Sequence, residues 1–544
     1  MDMKKITAAL LALVLIAVSF AGCSDSDDKL DLIYPFSGNI NSFDPQVAST
    51  QDEFLIAENC FEGLVRCDDE GNITPGCAKS WSVSNDGKTY TFELYQGLKW
   101  HIYDSVKKKM GEDYGPEITA DDFVFALQRA ADDTTQSPLY STISSIANAP
   151  EVHSGSADES TLGVTASGKY SLTINLSSPD DSFLETMSTA VTMPCNREFF
   201  ESTGGRYGLK LEYTLFNGQF YIKTILDTSY ILAANKDYSG PTKSKATDLT
   251  LNIVDDDTDL SKDLLSGYYD AAYIRGYESS EISDSSGVSL TPYSNITWMF
   301  VINGNDGIFA EKDARKALYL SIADIDYDEY SYLQKASGYV PPTCTANGAQ
   351  YNTSVSGVAE SADAEKAAEL WKEVISEEEI YTTEITLLVP DYMEEVAREL
   401  AQGIQAGIGS VSSVNDNDVS FSMVIEALPE SEMKSRVAAS DYDIALYPYT
   451  ASSTSPLAFL QTFENVSYAY INSSGYSEAL ADAASADASG LAQACYECEK
   501  ELYKNYSFLP VFYESCYYAQ AKGVSGVQFH PGSGRVSFIY ATRK

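Results

Sequence analysis

The chain has 544 residues, 44% of them hydrophobic, and carries 79 acidic against 36 basic residues for a formal net charge of −43. Such a charge repels phosphate backbones and anionic lipid surfaces, which argues against nucleic-acid binding and against electrostatic attachment to a membrane. The length and apolar share suffice for a large core divided among two or three domains.

The N-terminus reads Lys4 and Lys5, an uncharged apolar run from Ile6 to Phe20, then Ala21-Gly22-Cys23 and SDSDD. This is the order of a secretory signal peptide, residues 1–22, and the small residues before Cys23 fit a bacterial lipoprotein cleavage site with lipid on Cys23. Phe20 departs from the aliphatic residue usual three positions before the Cys, and an uncleaved anchor over Ile6 to Gly22 is the alternative. Processing removes Asp2, Lys4 and Lys5, a net +1, and takes the charge from −43 to −44. No later run approaches about 18 apolar residues, so the rest is expected outside the membrane.

Strand patterns begin with DLIYPF. In the next segment Trp81 and Val83 alternate up to the Asp86-Gly87 turn, and Tyr90, Phe92 and Leu94 alternate after it, which predicts a hairpin. Thr119 then stands as N-cap of the helix ADDFVFALQRA, with Asp121 and Asp122 at the positive end of its dipole. Further strands are predicted in YSLTINL, FYIKTI, YILAAN, LTLNIV, WMFVIN, EITLLV, VSFSMVI and YDIALY. Helices are predicted in EKDARKALYLSIA, ADAEKAAELWKEV, MEEVARELAQGIQAGI and around Cys495. This interleaving fits mixed α/β layers. Breaks rich in Gly, Ser, Thr and Pro fall near 202–208, 279–287 and 451–456.

Beyond Cys23 eight cysteines remain, an even number that permits disulfides without giving the pairing. Cys495 and Cys498 lie on a helical pattern with no second CxxC and no nearby His, so a structural role is expected over a metal or redox one. His101, His153 and His530 are widely spaced and read as solvent-facing or capping residues. Asp255 to Asp259 lacks the Gly and Glu of a calcium loop and reads as a solvated turn. No GxSxG elbow, HExxH or Walker loop occurs, so no catalytic residue, metal or cofactor is predicted.

Taken together, Ser42-Phe43-Asp44-Pro45, Phe61-Glu62-Gly63-Leu64, Pro75-Gly76, Ala78-Lys79-Ser80-Trp81, the Asp86-Gly87-Lys88 turn, Leu98-Lys99-Trp100 and Thr119-Ala120-Asp121-Asp122 resemble the dipeptide- and oligopeptide-binding family (family 5) of extracytoplasmic solute-binding proteins of ABC transporters. Asn217-Gly218-Gln219-Phe220, Asn235-Lys236-Asp237-Tyr238, Ser266-Gly267 with Asp270, Ala314-Arg315-Lys316-Ala317 and Leu509-Pro510-Val511 extend the resemblance across the mature chain.

The resemblance implies an α/β fold, a two-lobed clam shell of the periplasmic-binding-protein type II kind with an additional third domain. Lobe I is expected from 23–61, 191–294 and 509–544, the additional domain from 62–190, and lobe II from 295–508. It further implies a monomeric receptor without enzymatic activity, held to the extracytoplasmic face of the membrane through lipid on Cys23. The receptor would enclose a peptide and deliver it to ABC permease subunits and, through them, to ATPase subunits. An uncharged solute such as an oligosaccharide, a sensory or adhesion lipoprotein and, third, an extracellular hydrolase are the alternatives.

In peptide-binding members a carboxylate for the peptide α-amino group follows an aromatic anchor. Here Tyr449 holds the aromatic place, Pro456 the terminal one, and Ser452 stands where the carboxylate would be. A buried ammonium lacking its counter-charge would be strongly disfavoured. The expected ligand-binding residues are Thr50, Tyr140, Arg436, Tyr447, Tyr449, Ser452 and Ser453, the tyrosines for stacking and neutral hydrogen bonds. Trp81 and Trp100 are expected in the core. The insertion from His101 to Glu117 is the segment expected to alter access to the cleft.

Overall fold

The computed structural model describes residues 29–544 apart from 69–71, 181, 256–257, 306, 452–453, 465, 470–472, 487–488 and 531–534 and the side chains of 284 and 473. The lipidation site predicted at Cys23 lies outside the described residues. Among the described residues no helix is long and apolar enough to cross a membrane.

Strand β1 (Asp31–Phe36) opens the first lobe, and helix α1 (Gln51–Cys60) follows. A capping box starts α1: Glu53 N donates to Thr50 Oγ1 at 3.1 Å, and Thr50 N donates back to the Glu53 carboxylate at 3.1 Å. The chain then builds the additional domain from β2 (Ala78–Val83), β3 (Thr89–Leu94), α2 (Asp104–Met110), α3 (Ala120–Ala131), β4 (Val164–Gly168) and β5 (Ser171–Asn175). Its four strands lie in the order β2-β3-β5-β4. The β2–β3 turn uses Gly87 at φ +71°, a conformation that side chains with a Cβ rarely adopt. In β3, Tyr90, Phe92 and Leu94 face the core while Thr91 and Glu93 are half-buried. They meet the buried face of α3, including Phe123, Ala126 and Leu127.

Back in the first lobe, β6 (Phe220–Ile225), β7 (Ser229–Ala234) and β8 (Asp248–Ile253) complete a sheet ordered β1-β8-β7-β6, with β1 parallel to β8. Strand β9 (Ala271–Ile274) and the short helix α4 (Gly276–Ser279) lead into β10 (Ser289–Ile302), which runs from the first lobe into the second. The second lobe contains α5 (Lys312–Leu320), α6 (Ala364–Glu378), β11 (Thr382–Pro390), α7 (Glu394–Gly409), β12 (Ser420–Leu428), α8 (Glu430–Ala438), β13 (Ile444–Thr450), α9 (Pro456–Gln461) and α10 (Leu491–Tyr503). Strand β14 (Phe508–Gln520) then returns to the first lobe.

The shared sheet is ordered β9-β14-β10-β13-β11-β12, with Leu333–Lys335 also pairing on β14. Strand alternation sends Trp298, Phe300, Leu387 and Leu446 to one face, against Trp371 of α6 and Ile404 of α7. Met299, Val301, Leu388 and Ala445 go to the other, against Met433 of α8, Leu460 of α9 and Cys495 and Cys498 of α10. Those two cysteines are buried thiols on the inner side of one helix.

Two buried ion networks tie the additional domain to the first lobe. Arg129 of α3 donates to Asp44 Oδ2 at 2.5 Å and to Gln46 Oε1 at 2.9 Å, with Phe200 beneath its guanidinium. Around Glu58 of α1 gather Arg66 at 3.5 Å, Arg535 at 3.3 Å and His530 at 3.7 Å. Burial pushes the Glu58 carboxyl up, but the hydrogen bond from His530 and the charges of Arg535 and Arg66 outweigh it and hold it at about 2. His530, expected at the surface or in a cap, is therefore a buried member of this network, because Glu58 and two guanidiniums supply the polar partners that burial requires.

His101 stacks on Tyr221 with centroids 3.6 Å apart, and His153 stacks on Tyr140 at the same spacing. The insertion that begins at His101 packs along the first lobe. His101 N donates to Phe216 O at 2.7 Å, Tyr103 Oη to Ile222 O, and Lys109 Nζ to Ser202 O at 2.6 Å. Trp100 is 2% exposed and Trp81 half-buried, both against the additional domain's core. Asp259 caps the helix Leu260–Ser266 through Lys262 N at 2.9 Å, while 256–257 of the same acidic run lie outside the described residues.

Glu499 of α10 gives a pH dependence of opposite sign to Glu58. Burial raises its carboxyl from 4.5 to about 6, against the bonds it accepts from Tyr351 Oη at 2.8 Å, Val340 N at 3.1 Å and Tyr339 N at 2.7 Å. A raised carboxyl favours the folded state below the unfolded value, and that contribution, about 2 kcal/mol, is lost as pH climbs from 4.5 to 6. Urea unfolding across this window is expected to show that loss of stability, and Glu499→Gln to flatten it.

Candidate ligand-binding cleft

Strands β12 and β13 both run parallel to β11, so Pro390, Leu428 and Thr450 end on one edge of the second lobe. Because Thr450 pairs with Ile296, just beyond the point where β10 leaves the first lobe, this edge faces the first lobe. The carboxyl ends of parallel strands are where open α/β sheets place ligands. Each end runs into a helix start: β11 into the turn before α7, β12 into α8, and β13 through residues 451–455 into α9.

The β13–α9 loop is anchored at both ends. Ala451 N donates to Asn295 O at 2.8 Å, and Asn295 Oδ1 accepts from Tyr273 Oη of the first lobe at 3.1 Å. Farther on, Thr454 O accepts from Thr345 N at 2.8 Å and Ser455 Oγ caps α9 through Ala458 N at 3.1 Å. Ser452 and Ser453, between these anchors, lie outside the described residues.

Tyr447 and Tyr449 point to the same face of β13. Tyr447 is half-buried, with Tyr468 6.4 Å away in a near-parallel stack and Lys434 Nζ 6.0 Å from its ring centre. Tyr449 is 7% exposed, donates to or accepts from Tyr468 Oη at 3.0 Å, and packs on Phe463 with centroids 4.8 Å apart. Exposed aromatic surface here therefore belongs to Tyr447 and Tyr468, with Tyr449 beneath. Burial pushes the Tyr447 phenol up to about 12, so it stays neutral and able both to donate and to accept.

On the opposite side, Thr50 spends its hydroxyl within the first lobe, donating to Asn39 O at 2.7 Å while accepting from Glu53 N. Ser137 Oγ donates to Gln46 O at 2.6 Å and Leu139 packs beside Ala48, which brings the Tyr140 turn next to the segment leading into α1. Thr50 and Tyr140 thus lie on neighbouring segments, and Tyr447 and Tyr449 on β13 of the second lobe. Arg436 pairs with Glu426, two residues before the carboxyl end of β12, and with Asp441 at 2.9 Å before the start of β13.

A cluster that the sequence reading did not identify spans the two lobes. Arg275, between β9 and α4, grips Glu514 of β14 with bonds of 3.0 and 2.8 Å. Glu514 also accepts from Gly276 N at 3.0 Å and from the Trp298 indole at 2.8 Å. Burial opposes ionisation of Glu514, but the Arg275 charge and these bonds win and hold its carboxyl below the usual range. Arg275 Nη1 lies 3.4 Å from Glu430 at the start of α8, and Tyr392 Oη donates to the same Glu430 carboxylate. Tyr277 of α4 stacks on Tyr392, centroids 4.6 Å apart and planes 17° from parallel.

A cavity of about 320 Å3 also opens on the first lobe, lined by Ile40, Phe43, Leu209, Ile225 and Tyr230 among others. None of its lining residues belongs to the second lobe, so closure of the clam shell would not enclose a ligand there.

Comparison with known proteins agrees with this architecture. Residues 72–470 match the family model described as bacterial extracellular solute-binding proteins, family 5 middle. The oligopeptide-binding protein AmiA of Streptococcus pneumoniae is 30% identical over 340 residues, which cover 61% of this chain and 48% of AmiA. The dipeptide-binding protein of Lactococcus lactis is 27% identical over 260 residues, covering 47% of this chain and 45% of that one. The chain thus spans about half the length of these curated relatives.

Among solved structures, the substrate-binding domain of an oligopeptide ABC transporter from Bacillus anthracis superposes with TM-score 0.72 at 23% identity, covering 95% of this chain and 99% of that one. Listeria monocytogenes OppA bound to peptide gives TM-score 0.71 at 20% identity, covering 95% and 100%. The chain belongs to family 5 of the bacterial extracellular solute-binding proteins, and its fold is their two-lobed clam shell with an additional domain.

Removing the Glu514 charge leaves the largely enclosed Arg275 without its main partner. Glu514→Gln is expected to lower unfolding free energy by about 3 kcal/mol in urea titrations. It is also expected to change Trp298 fluorescence before global unfolding.

Proposed function

We propose that this protein is a lipid-anchored, non-enzymatic receptor of an ABC importer, which captures peptides between its lobes and hands them to the membrane permease. Support comes foremost from one observation: the carboxyl ends of β11, β12 and β13 converge, with Tyr447 and Tyr468 beside them, on the edge that faces the first lobe. The names of relatives add the substrate class, since AmiA and the Lactococcus lactis protein are called oligopeptide- and dipeptide-binding.

In this reading lobe I comprises 23–61, 191–294 and 509–544, the additional domain 62–190, and lobe II 295–508. Thr50 and Tyr140 would contact the ligand from one side and Tyr447 and Tyr449 from the other, with Ser452 and Ser453 proposed from the sequence as further ligand-binding residues. Arg436, paired with Glu426 near the carboxyl end of β12, belongs to the second-lobe set of proposed ligand-binding residues. Lipid on Cys23 holds the receptor on the extracytoplasmic side.

The test is a thermal-shift screen of the protein lacking residues 1–23 against free-amine peptides, N-acetylated peptides and sugars. Ligand at 100 times its dissociation constant stabilises by about 2.7 kcal/mol. Because Ser452 offers no carboxylate, acetylated and free-amine peptides are expected to shift the melt equally, and Tyr447→Ala to weaken both about tenfold. A response to free-amine peptides alone would mean that another acid receives the α-amino group. A response to sugars alone would defeat the peptide reading.

A further inference from the structure

We propose that Arg275, Tyr277, Tyr392 and Glu430 form a brace that holds one flank of the cleft shut before any ligand arrives. The four side chains come from both sides of the opening. Arg275 and Tyr277 follow β9, whose partner stretch on β14, Tyr517 to Gln520, lies in the first lobe. Tyr392 and Glu430 sit at the carboxyl ends of β11 and β12, on the cleft-facing edge of the second lobe. Opening of the clam shell at this flank must separate Arg275 from Glu430 and unstack Tyr277 from Tyr392.

Each half is oriented before the halves meet. Arg275 is fixed by its two bonds to Glu514. The same-helix ammonium of Lys434, 2.5 Å away, and the Tyr392 hydroxyl hold the Glu430 carboxylate. Contact between two pre-oriented groups forfeits little side-chain entropy. Arg275 and Glu430 side chains are only 20% and 17% exposed, so solvent weakens their attraction less than it would a surface pair.

The brace covers the flank where β14 and β10 carry Glu514 and Trp298. Tyr447 and the loop after β13 remain available on the other flank. A receptor already closed on one side needs less of the ligand's binding energy to complete closure, since apparent affinity falls with the fraction of molecules in the competent state.

The experiment measures inter-lobe distance in the full chain in detergent, without ligand, by pulsed electron spin resonance between labels at exposed Asp227 and Glu432. The unmodified brace is expected to give one narrow distribution. Glu430→Gln combined with Tyr277→Ala is expected to raise the ratio of long to short distances about tenfold. Tyr277→Ala alone, at a half-exposed site, is expected to move it the same way by less. Lys504→Gln, which breaks a pair with Glu501 at the end of α10 and touches no brace residue, is expected to leave the distribution as it was. Identical distributions with and without the brace, whether both short or both long, would overturn the proposal. So would opening by Lys504→Gln as large as that of the double variant.

Discussion

Everything in this molecule depends on two antiparallel strands, β10 and β14, that run side by side from one lobe into the other. Their pairing is continuous from Ser289–Gln520 to Tyr293–Cys516, is interrupted before Ile296–Glu514, and resumes, with a second register shift between Trp298 and Met299, to Val301–Phe508. At the interruption stand Ser294 and Ser515, whose hydroxyls meet at 3.1 Å, and Asn295, which carries the start of the β13–α9 loop. Two strands tie the lobes firmly enough to keep their edges opposed, while the irregular register gives the crossing a place to bend. The carboxyl ends of β11, β12 and β13 become a ligand site only because this crossing turns them toward the first lobe.

Charge is distributed to serve that arrangement. In a chain with more than twice as many acidic as basic residues, guanidiniums are spent at the joints. Arg129 joins the additional domain to Asp44, Arg66 and Arg535 neutralise Glu58, Arg275 neutralises Glu514, and Arg543 clasps Asp270 beside β9. Each of these carboxylates is buried, and breaking one such pair by removing a single partner costs far more than the pair's net contribution. They therefore fix geometry more than they add stability. The surface keeps the excess negative charge.

Local elements were legible in the sequence because they rest on short-range physics. The Asp86-Gly87 hairpin, the Thr119 cap, the alternation in β3 and the helical periods of α5, α6 and α7 were all foreseen and are present. The crossing strands were not. Pro292 and Pro510 argue against a central strand, and Ser294, Asn295, Glu514 and Ser515 break the apolar run, so the first half of β10 and all of β14 lacked a strand signature. In the cleft, Tyr447 and Tyr449 share a face because strand side chains repeat every second residue, but burial of Tyr449 depends on Phe463 and Tyr468, which periodicity cannot place. Arg275 and Glu430 are 155 positions apart and became partners only through the folded sheet.

Enclosure of the ligand between the lobes is tested most directly by photo-cross-linking. A saturating peptide carrying a benzophenone at successive positions is irradiated, and the attachment sites are read by mass spectrometry. The account predicts that one peptide series labels both walls: the first-lobe segments 46–50 and 137–140, and the second-lobe segment 447–456. Labelling confined to a single lobe, or to the cavity around Ile40, Leu209 and Ile225, would contradict it.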